Sequence, residues 1–222
     1  MEKSLIITID GPSGVGKSTV AKSVAKNLAL MYLDTGAMYR TIALEVKRHS
    51  LNLDNDVELL SLLSTTDIEF VKDNNVFSIR LNGEDITREI RSPEISKISS
   101  DVATKSIVRK KLVEMQRNVG SKGNIVVEGR DMGTYVFPDA DFKFYLEASL
   151  GERAIRRKKQ LMENGIEMDI NKLIKDIESR DKQDKERSES PLHPAPNAVI
   201  IDTTNLNTDE VINRIITEVK GE

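Results

Sequence analysis

The chain of 222 residues has no cysteine, no tryptophan and only two histidines. Without cysteine it can form no disulfide, no thiolate nucleophile and no Cys-ligated metal centre, and two histidines are too few for a zinc cluster. Its apolar runs fall far short of the ~20 residues that span a bilayer, and the N-terminal segment has no signal-peptide pattern. We therefore expect a protein of the reducing cytoplasm that is neither secreted nor bound to a membrane.

The charge is nearly balanced, with 33 Lys and Arg residues against 36 Asp and Glu residues and a net charge of −3. A balance of this kind gives no global attraction for a polyanion, so we expect no nucleic-acid polymer as a partner. The length and the apolar content of 38% suit one sizeable core with a small appended subdomain. Any anionic ligand must then be captured by a local site.

Apolar β-rich runs alternate with segments of helical periodicity along most of the chain. Residues 5–9 predict a buried strand, which a glycine-rich loop joins to a helix marked by Val20, Val24 and Leu28. A strand at 31–34 then leads into a helix from Thr35 to about Lys47, under a Thr or Gly cap. Further strands are predicted at 124–128, 142–146 and 198–202, with helices at about 92, 106, 149, 169 and 207. This order predicts an α/β fold around a parallel sheet.

The rhythm breaks between residues 67 and 90, where three short β-rich runs are separated by residues 73–75 and by Asn82-Gly83. Because Asn-Gly is a strong signal for a tight hairpin, this segment predicts a small antiparallel insertion. Two later helices are expected to begin with capping boxes, Ser149 with Glu152 and Asn207 with Glu210. Near residue 106, one apolar stripe is predicted through Val108, Leu112, Met115 and Val119.

Residues 11–18, Gly-Pro-Ser-Gly-Val-Gly-Lys-Ser, match the pattern G-x-x-x-x-G-K-[ST] between a predicted strand and a predicted helix. The glycines let successive N–H groups point inward, and the helix adds the positive end of its dipole, so the loop predicts a nest for phosphate. Lys17 is expected to reach the β and γ phosphates, the Ser18 hydroxyl to ligate Mg²⁺, and Thr19 to lie beside the α phosphate. The expected triphosphate-binding residues are Gly11, Pro12, Ser13, Gly14, Val15, Gly16, Lys17, Ser18 and Thr19.

A triphosphate site is compatible with a kinase and with a noncatalytic nucleotide-dependent switch. A GTP switch would usually carry Asn-Lys-x-Asp to read guanine, but here Asn171-Lys172 is followed by Leu, Ile and Lys. The sequence therefore favours a kinase over a switch. Among kinases, an acceptor other than a pyrimidine nucleotide, such as another nucleotide or a shikimate-like alcohol, stays open at this point.

Arginines suit an acceptor phosphate because the planar guanidinium grips phosphate oxygens in pairs. Thr35 and Arg40 follow the second strand and should emerge at the carboxyl edge of the sheet, where ligands of such folds bind. In the helix near 169–187, the buried stripe continues through Arg180, Asp184 and Arg187, which indicates a wet, charged cleft unless the helix frays after Arg180.

Arg153 and Arg157 lie four residues apart on a basic helix. On one side of that helix they could close over triphosphate oxygens as a lid. The alternative for such a charge run is a solvated helix face.

Five segments occur in an order that resembles bacterial cytidylate kinases, of the P-loop nucleoside monophosphate kinase family, from end to end: 11–19, 34–40, 128–134, 137–140 and 180–181. The run Gly-Arg-Asp-Met-Gly-Thr at 129–134 is more diagnostic than the phosphate loop. The resemblance implies ATP as donor, CMP and dCMP as acceptors, Mg²⁺ as cofactor and a monomer. It also implies a three-layer α/β/α P-loop core (1–34, 122–152 and 188–222), an NMP-binding domain with a small antiparallel insertion (35–121) and a helical lid (153–187).

The resemblance also implies the site residues. The positions that match the CMP-binding residues of the family are Thr35, Arg40, Ser100, Arg109, Arg130, Asp131, Arg180, Asp184 and Arg187. Asp131 and Ser100 suit the exocyclic amine of cytosine and Arg109 its ring acceptors, so UMP should be the poorer substrate. Arg40, Arg130 and Arg187 suit the phosphate, and Arg180 with Asp184 suits the sugar. The expected catalytic groups are Lys17, Arg130, Arg153 and Arg157.

Overall fold

The computed structural model describes residues 5–73, 76–163 and 165–221. The strands are β1 (Ile6–Asp10), β2 (Met31–Asp34), β3 (Ile68–Asp73), β4 (Val76–Leu81), β5 (Glu84–Asp85), β6 (Ile125–Gly129), β7 (Phe142–Glu147) and β8 (Val199–Asp202). The helices are α1 (Lys17–Asn27), α2 (Thr35–Arg48), α3 (Asp56–Thr65), α4 (Pro93–Val102), α5 (Ser106–Gly120), α6 (Leu150–Glu163), α7 (Ile170–Glu186) and α8 (Thr208–Lys220). A 3₁₀ turn covers Glu89–Arg91 and a π-helical turn covers Met132–Val136.

The chain divides into two compact units, one of Met1–Tyr32 with Lys122–Glu222 and one of Leu33–Ser121. The boundary between the units falls inside β2. The three-part division into core, NMP-binding domain and lid stays a prediction. Within the described ranges, we find no helix with the length and apolar character of a membrane span.

The central sheet has the strand order β2-β6-β1-β7-β8 and is parallel. Strand β1 lies in the middle and is buried on both sides, with Ile7 and Ile9 fully inaccessible to solvent. Its last residue, Asp10, is level with Gly129 at the end of β6 and with Tyr145 near the end of β7. Helices complete a three-layer arrangement, which confirms the predicted α/β fold with a parallel sheet. The register brings the carboxyl ends of β1 and β6 to one edge.

The predicted elements of the first unit are present, with one local difference at the start of α6. Helix α8 begins with the predicted capping box. The Asn207 side chain accepts a hydrogen bond from the Glu210 N–H, and the Glu210 carboxylate accepts one from the Asn207 N–H. At α6 only half of the predicted box forms: the Glu152 N–H donates to the Ser149 hydroxyl at 3.3 Å. The Ser149 N–H donates instead to Thr204, and the Glu152 carboxylate accepts from Arg156 at 2.8 Å. A charged partner one turn along the helix has displaced the reciprocal bond.

The second unit contains the small antiparallel sheet β3-β4-β5, as predicted. Asn82 and Gly83 both have positive φ, 48° and 86°, which is the backbone twist that a two-residue hairpin requires. The other predicted separator, 73–75, lies partly outside the described residues. Arg48 on α2 pairs with Glu84 and Glu89 and so ties the insertion to that helix within the unit.

Two of the predicted helices of the second unit differ in detail from the sequence prediction. Helix α2 is capped by Asp34, whose carboxylate accepts the Ala37 N–H at 2.8 Å, and not by Thr or Gly. On α5 the buried face runs through Arg109, Val113 and Gln116 as well as Val108 and Leu112. Met115 and Val119 are only half-buried, so the helix is rotated relative to the predicted stripe.

Candidate active site

The phosphate loop follows β1 and leads into α1, as the sequence pattern predicts. Lys17 is the first residue of α1 and is only 6% exposed, and its Nζ donates to the carbonyls of Gly11 and Pro12 at 2.7 Å each. Burial lowers the pKa of Lys17 and Arg130 lowers it further, while Glu128, Asp184 and Asp10 oppose the shift. Lys17 therefore lies among the charged groups of the first unit, with its amine turned back over the loop.

Two glycines of this loop have positive φ and leave no room for a side chain. At Gly11 (φ 149°), an added Cβ would lie 2.2 Å from the Leu146 carbonyl oxygen. At Gly14 (φ 81°), it would lie 3.2 Å from both the Cβ and the carbonyl oxygen of Arg153. The loop thus packs directly on the backbone of β7 and of α6, which only glycine permits at these two positions.

Two buried carboxylates end the central strands beside the loop. Asp10 ends β1, is 2% exposed, and accepts the N–H groups of Met132 and Gly133 at 3.0 and 2.8 Å. Burial raises the pKa of Asp10 to about 6, against the lowering effect of those two hydrogen bonds. Glu128, near the end of β6, is 4% exposed and accepts the hydroxyl of Tyr32. Acidic groups therefore surround Lys17 at the sheet edge.

Arg130 and Asp131 follow β6 and each pair with a charged residue at the end of α7. The Arg130 Nε donates to Asp184 Oδ2 at 2.7 Å. Burial lowers the pKa of Arg130, but the surrounding carboxylates, Asp184 first, raise it by more, so the net shift is upward. For Asp184, burial raises the pKa, but the neighbouring arginines lower it by more, so the net shift is downward. The Arg187 Nη2 lies 3.3 Å from Asp131 Oδ1, and the Arg187 Nε donates to the Ser190 carbonyl at 2.6 Å. These four side chains form a buried cage of alternating charge.

Helix α6 places its arginines in different surroundings. Arg153 is 7% exposed and donates to the carbonyls of Ser13 and Ala148 at 3.0 and 3.1 Å and to the carboxylate of Asp181. Arg157 bonds Gln160 at 2.6 Å on the exposed side. The predicted closure of both side chains over a triphosphate stays a prediction.

Arg156, between them, was not singled out by the sequence. It donates to the Thr203 hydroxyl and carbonyl at 2.9 and 2.7 Å and to the Val15 carbonyl at 3.4 Å. It thereby ties the phosphate loop to the residue that follows β8.

The second unit holds four of the predicted acceptor residues, whereas Arg180 lies on α7 in the first unit. Arg40 on α2 donates to Asp34 Oδ2 at 3.1 Å, and Thr35 is buried at the first position of the same helix. On α5, Arg109 is 2% exposed and lies 3.4 Å from the hydroxyl of Tyr39 on α2. Ser100 on α4 bonds back to the Ser96 carbonyl at 3.4 Å. Within this unit, α2 and α5 bring Arg109 to the helix that carries Arg40.

The sequence matches the family described as cytidylate kinase over residues 7–221. The chain belongs to the cytidylate kinase family. Two similar relatives are named cytidylate kinase. The one from Desulforamulus reducens is 47% identical over 220 residues, and the match covers 99% of both chains. The one from Syntrophotalea carbinolica is 44% identical over 216 residues, and the match covers 97% of this chain and 92% of the relative. The solved structure of shikimate kinase from Bacteroides thetaiotaomicron covers 99% of this chain and 100% of its own, with 12% identity and a TM-score of 0.50. That likeness shows the fold alone.

For this member of the cytidylate kinase family, the first unit brings together the phosphate loop, Arg130, Asp131, Asp184 and Arg187. The helix near 169–187 does not fray after Arg180: α7 continues to Glu186, and Asp181 and Asp184 are both buried. Sequence reasoning missed Asp10 and Asp181 as parts of this arrangement. The signal for Asp181 was present, because Asp181 falls four residues after Ile177 on the buried stripe of α7.

Proposed function

We propose that this chain transfers the γ-phosphoryl group of ATP to CMP or dCMP, giving ADP with CDP or dCDP. The observation that carries the proposal is the 47% identity over 220 residues to a protein named cytidylate kinase. The buried cage of Arg130, Asp184, Asp131 and Arg187 supports it, because alternating guanidinium and carboxylate groups suit a ligand with both a phosphate and hydrogen-bonding hydroxyl and amine groups.

On the donor side, the phosphate loop binds the triphosphate through its N–H groups, with residues 11–19 forming the site. Lys17 leaves the carbonyls of Gly11 and Pro12 for the β and γ phosphates, since a phosphate is a stronger acceptor for an ammonium group than a carbonyl. Arg130, Arg153 and Arg157 add positive charge where negative charge develops in transfer. Catalysis then comes from position and charge neutralisation, without a covalent intermediate.

Mg²⁺ is the proposed cofactor, with the Ser18 hydroxyl as its protein ligand. Ser18 is exposed on the first turn of α1, directly after Lys17, and offers the hard oxygen that Mg²⁺ takes beside nucleotide phosphates and water. No group of three or more His, Asp or Glu side chains suited to a metal occurs among residues 5–73, 76–163 and 165–221. When bound, the ion neutralises phosphate charge and orients the triphosphate.

On the acceptor side, we propose that Asp131 and Ser100 accept from the cytosine amine and that Arg109 donates to the ring. Arg40, Arg130 and Arg187 bind the monophosphate, Arg180 and Asp184 bind the sugar, and Thr35 is the remaining residue proposed to bind CMP. UMP has a carbonyl in place of the amine, so it leaves the Asp131 carboxylate opposite an acceptor and should react more slowly. The acceptor phosphate is already ionised at neutral pH, so transfer needs no strong general base. We propose a cytoplasmic monomer that acts on these small nucleotides.

The test is ADP release measured across CMP, dCMP, UMP, AMP and GMP for the wild type, Lys17→Ala and Lys26→Ala. CMP and dCMP should release ADP fastest, and Lys17→Ala should lower that rate by about a hundredfold or more because it removes a cation from the transition state. Lys26 is exposed on the same helix and serves as the matched control, so Lys26→Ala should keep the wild-type rate.

Two results would contradict the proposal. Wild-type protein that releases no more ADP with CMP than without an acceptor is not a cytidylate kinase. An active Lys17→Ala variant would remove Lys17 from the donor site.

A further inference from the structure

The buried face of α7 changes from apolar to acidic along its length. Leu173 and Ile177 are followed on the same face by Asp181 and Asp184, which are 8% and 9% exposed. Asp184 pairs with Arg130 and belongs to the acceptor site proposed above. Asp181 has no part in the proposed reaction, although burying a carboxylate is costly unless it is paired and hydrogen-bonded.

Asp181 is bonded to the phosphate loop and to α6 at once. Its Oδ1 accepts the Ser13 N–H at 3.2 Å, and its Oδ2 accepts from the Arg153 Nη1. The same Nη1 donates to the Ser13 carbonyl at 3.0 Å. Both main-chain polar groups of Ser13 are therefore held from outside the loop, one by a carboxylate on α7 and the other by a guanidinium on α6.

The next loop residue is also in contact with α6. Gly14 lies so close to Arg153 that an added Cβ would be 3.2 Å from its Cβ and from its carbonyl oxygen. Two successive loop residues thus lie against the helix pair that Asp181 and Arg153 join. A carboxylate this near a phosphate site would repel the ligand if it were unpaired, but Arg153 neutralises it.

We infer that Asp181 is a positioning residue of the donor site, which fixes the Ser13 peptide so that the N–H groups after it keep the orientation that binds ATP phosphates. The Ser13 N–H itself points to Asp181 and not into the nest. Asp181 acts through Ser13 and Arg153 and does not touch the nucleotide. This inference rests on the ATP-binding part of the proposed function and extends it to a residue on a different helix.

The experiment measures the Kd of ATP alone and of CMP alone by calorimetry, for the wild type, Asp181→Asn, Asp181→Ala and Asp176→Asn. Asp181→Ala removes the acceptor of the Ser13 N–H and should raise the Kd of ATP about tenfold. Asp181→Asn keeps an oxygen for that N–H but loses the negative charge that pairs with Arg153, so it should raise the Kd of ATP about threefold. Asp176 is exposed on the same helix, and Asp176→Asn should bind ATP like the wild type.

The Kd of CMP separates positioning from a general structural role. It should stay within about twofold of the wild-type value in all variants, because the cage residues keep their own partners. Equal weakening of ATP and CMP would mean that Asp181 only supports α7, and tighter binding of ATP would mean that it only repels phosphate; either result overturns the inference.

A measurement on the wild type keeps the test valid if the variants do not fold. The amide hydrogen of Ser13 should exchange with solvent at least about tenfold more slowly than an unprotected amide, since it is bonded to a buried carboxylate. Exchange at the unprotected rate would overturn the inference. Wild-type protein that binds ATP normally but releases no ADP with CMP would count against the proposed acceptor and leave the role of Asp181 standing.

Discussion

At the scale of single residues, this molecule holds many of the charges of its proposed sites in pairs. Arg130 pairs with Asp184, Arg187 with Asp131, and Arg153 with Asp181. Asp10 is different, because its carboxylate is bonded to the main-chain N–H groups of the π-helical turn. The sequence marks Asp10 only as an acid after a strand. Neither its burial nor its partners, more than 120 residues away, could be read from the sequence.

The ionisation of Asp10 gives a prediction at this scale. Burial raises its pKa to about 6 from the ordinary value of 3.8, with Asp131 raising it slightly and Lys17 lowering it. Since the folded state binds this proton more tightly, the stability that the proton confers is present below pH 3.8 and is lost as the pH rises through 6. The ¹³C carboxyl signal of Asp10 should therefore titrate near pH 6.

The free energy of unfolding should follow the same titration. Compared with Asp10→Asn, which has no charge to lose, the wild type should gain about 2 kcal/mol between pH 6.5 and pH 4. Urea unfolding at several pH values measures the difference. A carboxyl signal that titrates near pH 4, or a difference that does not change with pH, would contradict the assigned environment.

At the scale of helices and strands, the sequence predicted most of what the structure contains. Strands such as β2 were clear because an apolar run ends sharply at a polar residue. The phase of α5 was wrong because Arg109 and Gln116 lie on its buried face, and a hydrophobicity pattern assigns such residues to solvent. Helix α3 was not predicted, although Leu59, Leu62 and Leu63 have helical spacing after the cap residue Asn55.

The π-helical turn gives a prediction at this scale. An added Cβ on Gly133 would lie 2.9 Å from the Thr8 hydroxyl oxygen and 3.2 Å from the Ala195 Cβ, so the turn would have to move off β1. Gly133→Ala should therefore lower the free energy of unfolding by about 1–3 kcal/mol.

Gly151 on α6 is the matched control, because an added Cβ there would meet no heavy atom within 4 Å beyond its chain neighbours and the backbone of its own helix. Gly151→Ala should raise the free energy of unfolding by about 0.4–1 kcal/mol, since alanine restricts the unfolded chain and favours the helix. Urea denaturation of both variants gives the comparison. A Gly133→Ala variant as stable as the wild type would show that the turn is loosely packed.

At the scale of the whole molecule, the order of elements and the five motifs were enough to predict the parallel sheet, the antiparallel insertion and the family. The motifs were informative because each combines a backbone requirement with a chemical one, as Gly11 and Lys17 do in the phosphate loop. The ties between distant segments could not be predicted in this way. Ser13 with Asp181 and Val15 with Arg156 depend on how α6 and α7 pack, which no local pattern encodes.

Ligand binding should be visible in the thermal stability of the whole chain. A ligand at about 100 times its Kd adds about 2.7 kcal/mol of stability, which corresponds to a rise in Tm of about 5–10 °C for a chain of this size. Differential scanning fluorimetry with an external dye should show this rise for ATP with Mg²⁺ and for CMP. Lys17→Ala should lose most of the ATP-dependent rise and keep the CMP-dependent rise. Loss of both would indicate that the variant is misfolded.

The spacing between Asp181 and Asp184 limits how the gene for such a protein can change in length. A helix turns by about 100° per residue, so one inserted or deleted codon between these positions would carry one carboxylate away from its arginine while the other stayed. The same insertion near Gly165, at the start of the connection from α6 to α7, would leave both pairs intact. Length variation among natural variants should therefore collect in that connection and be missing from the second half of α7.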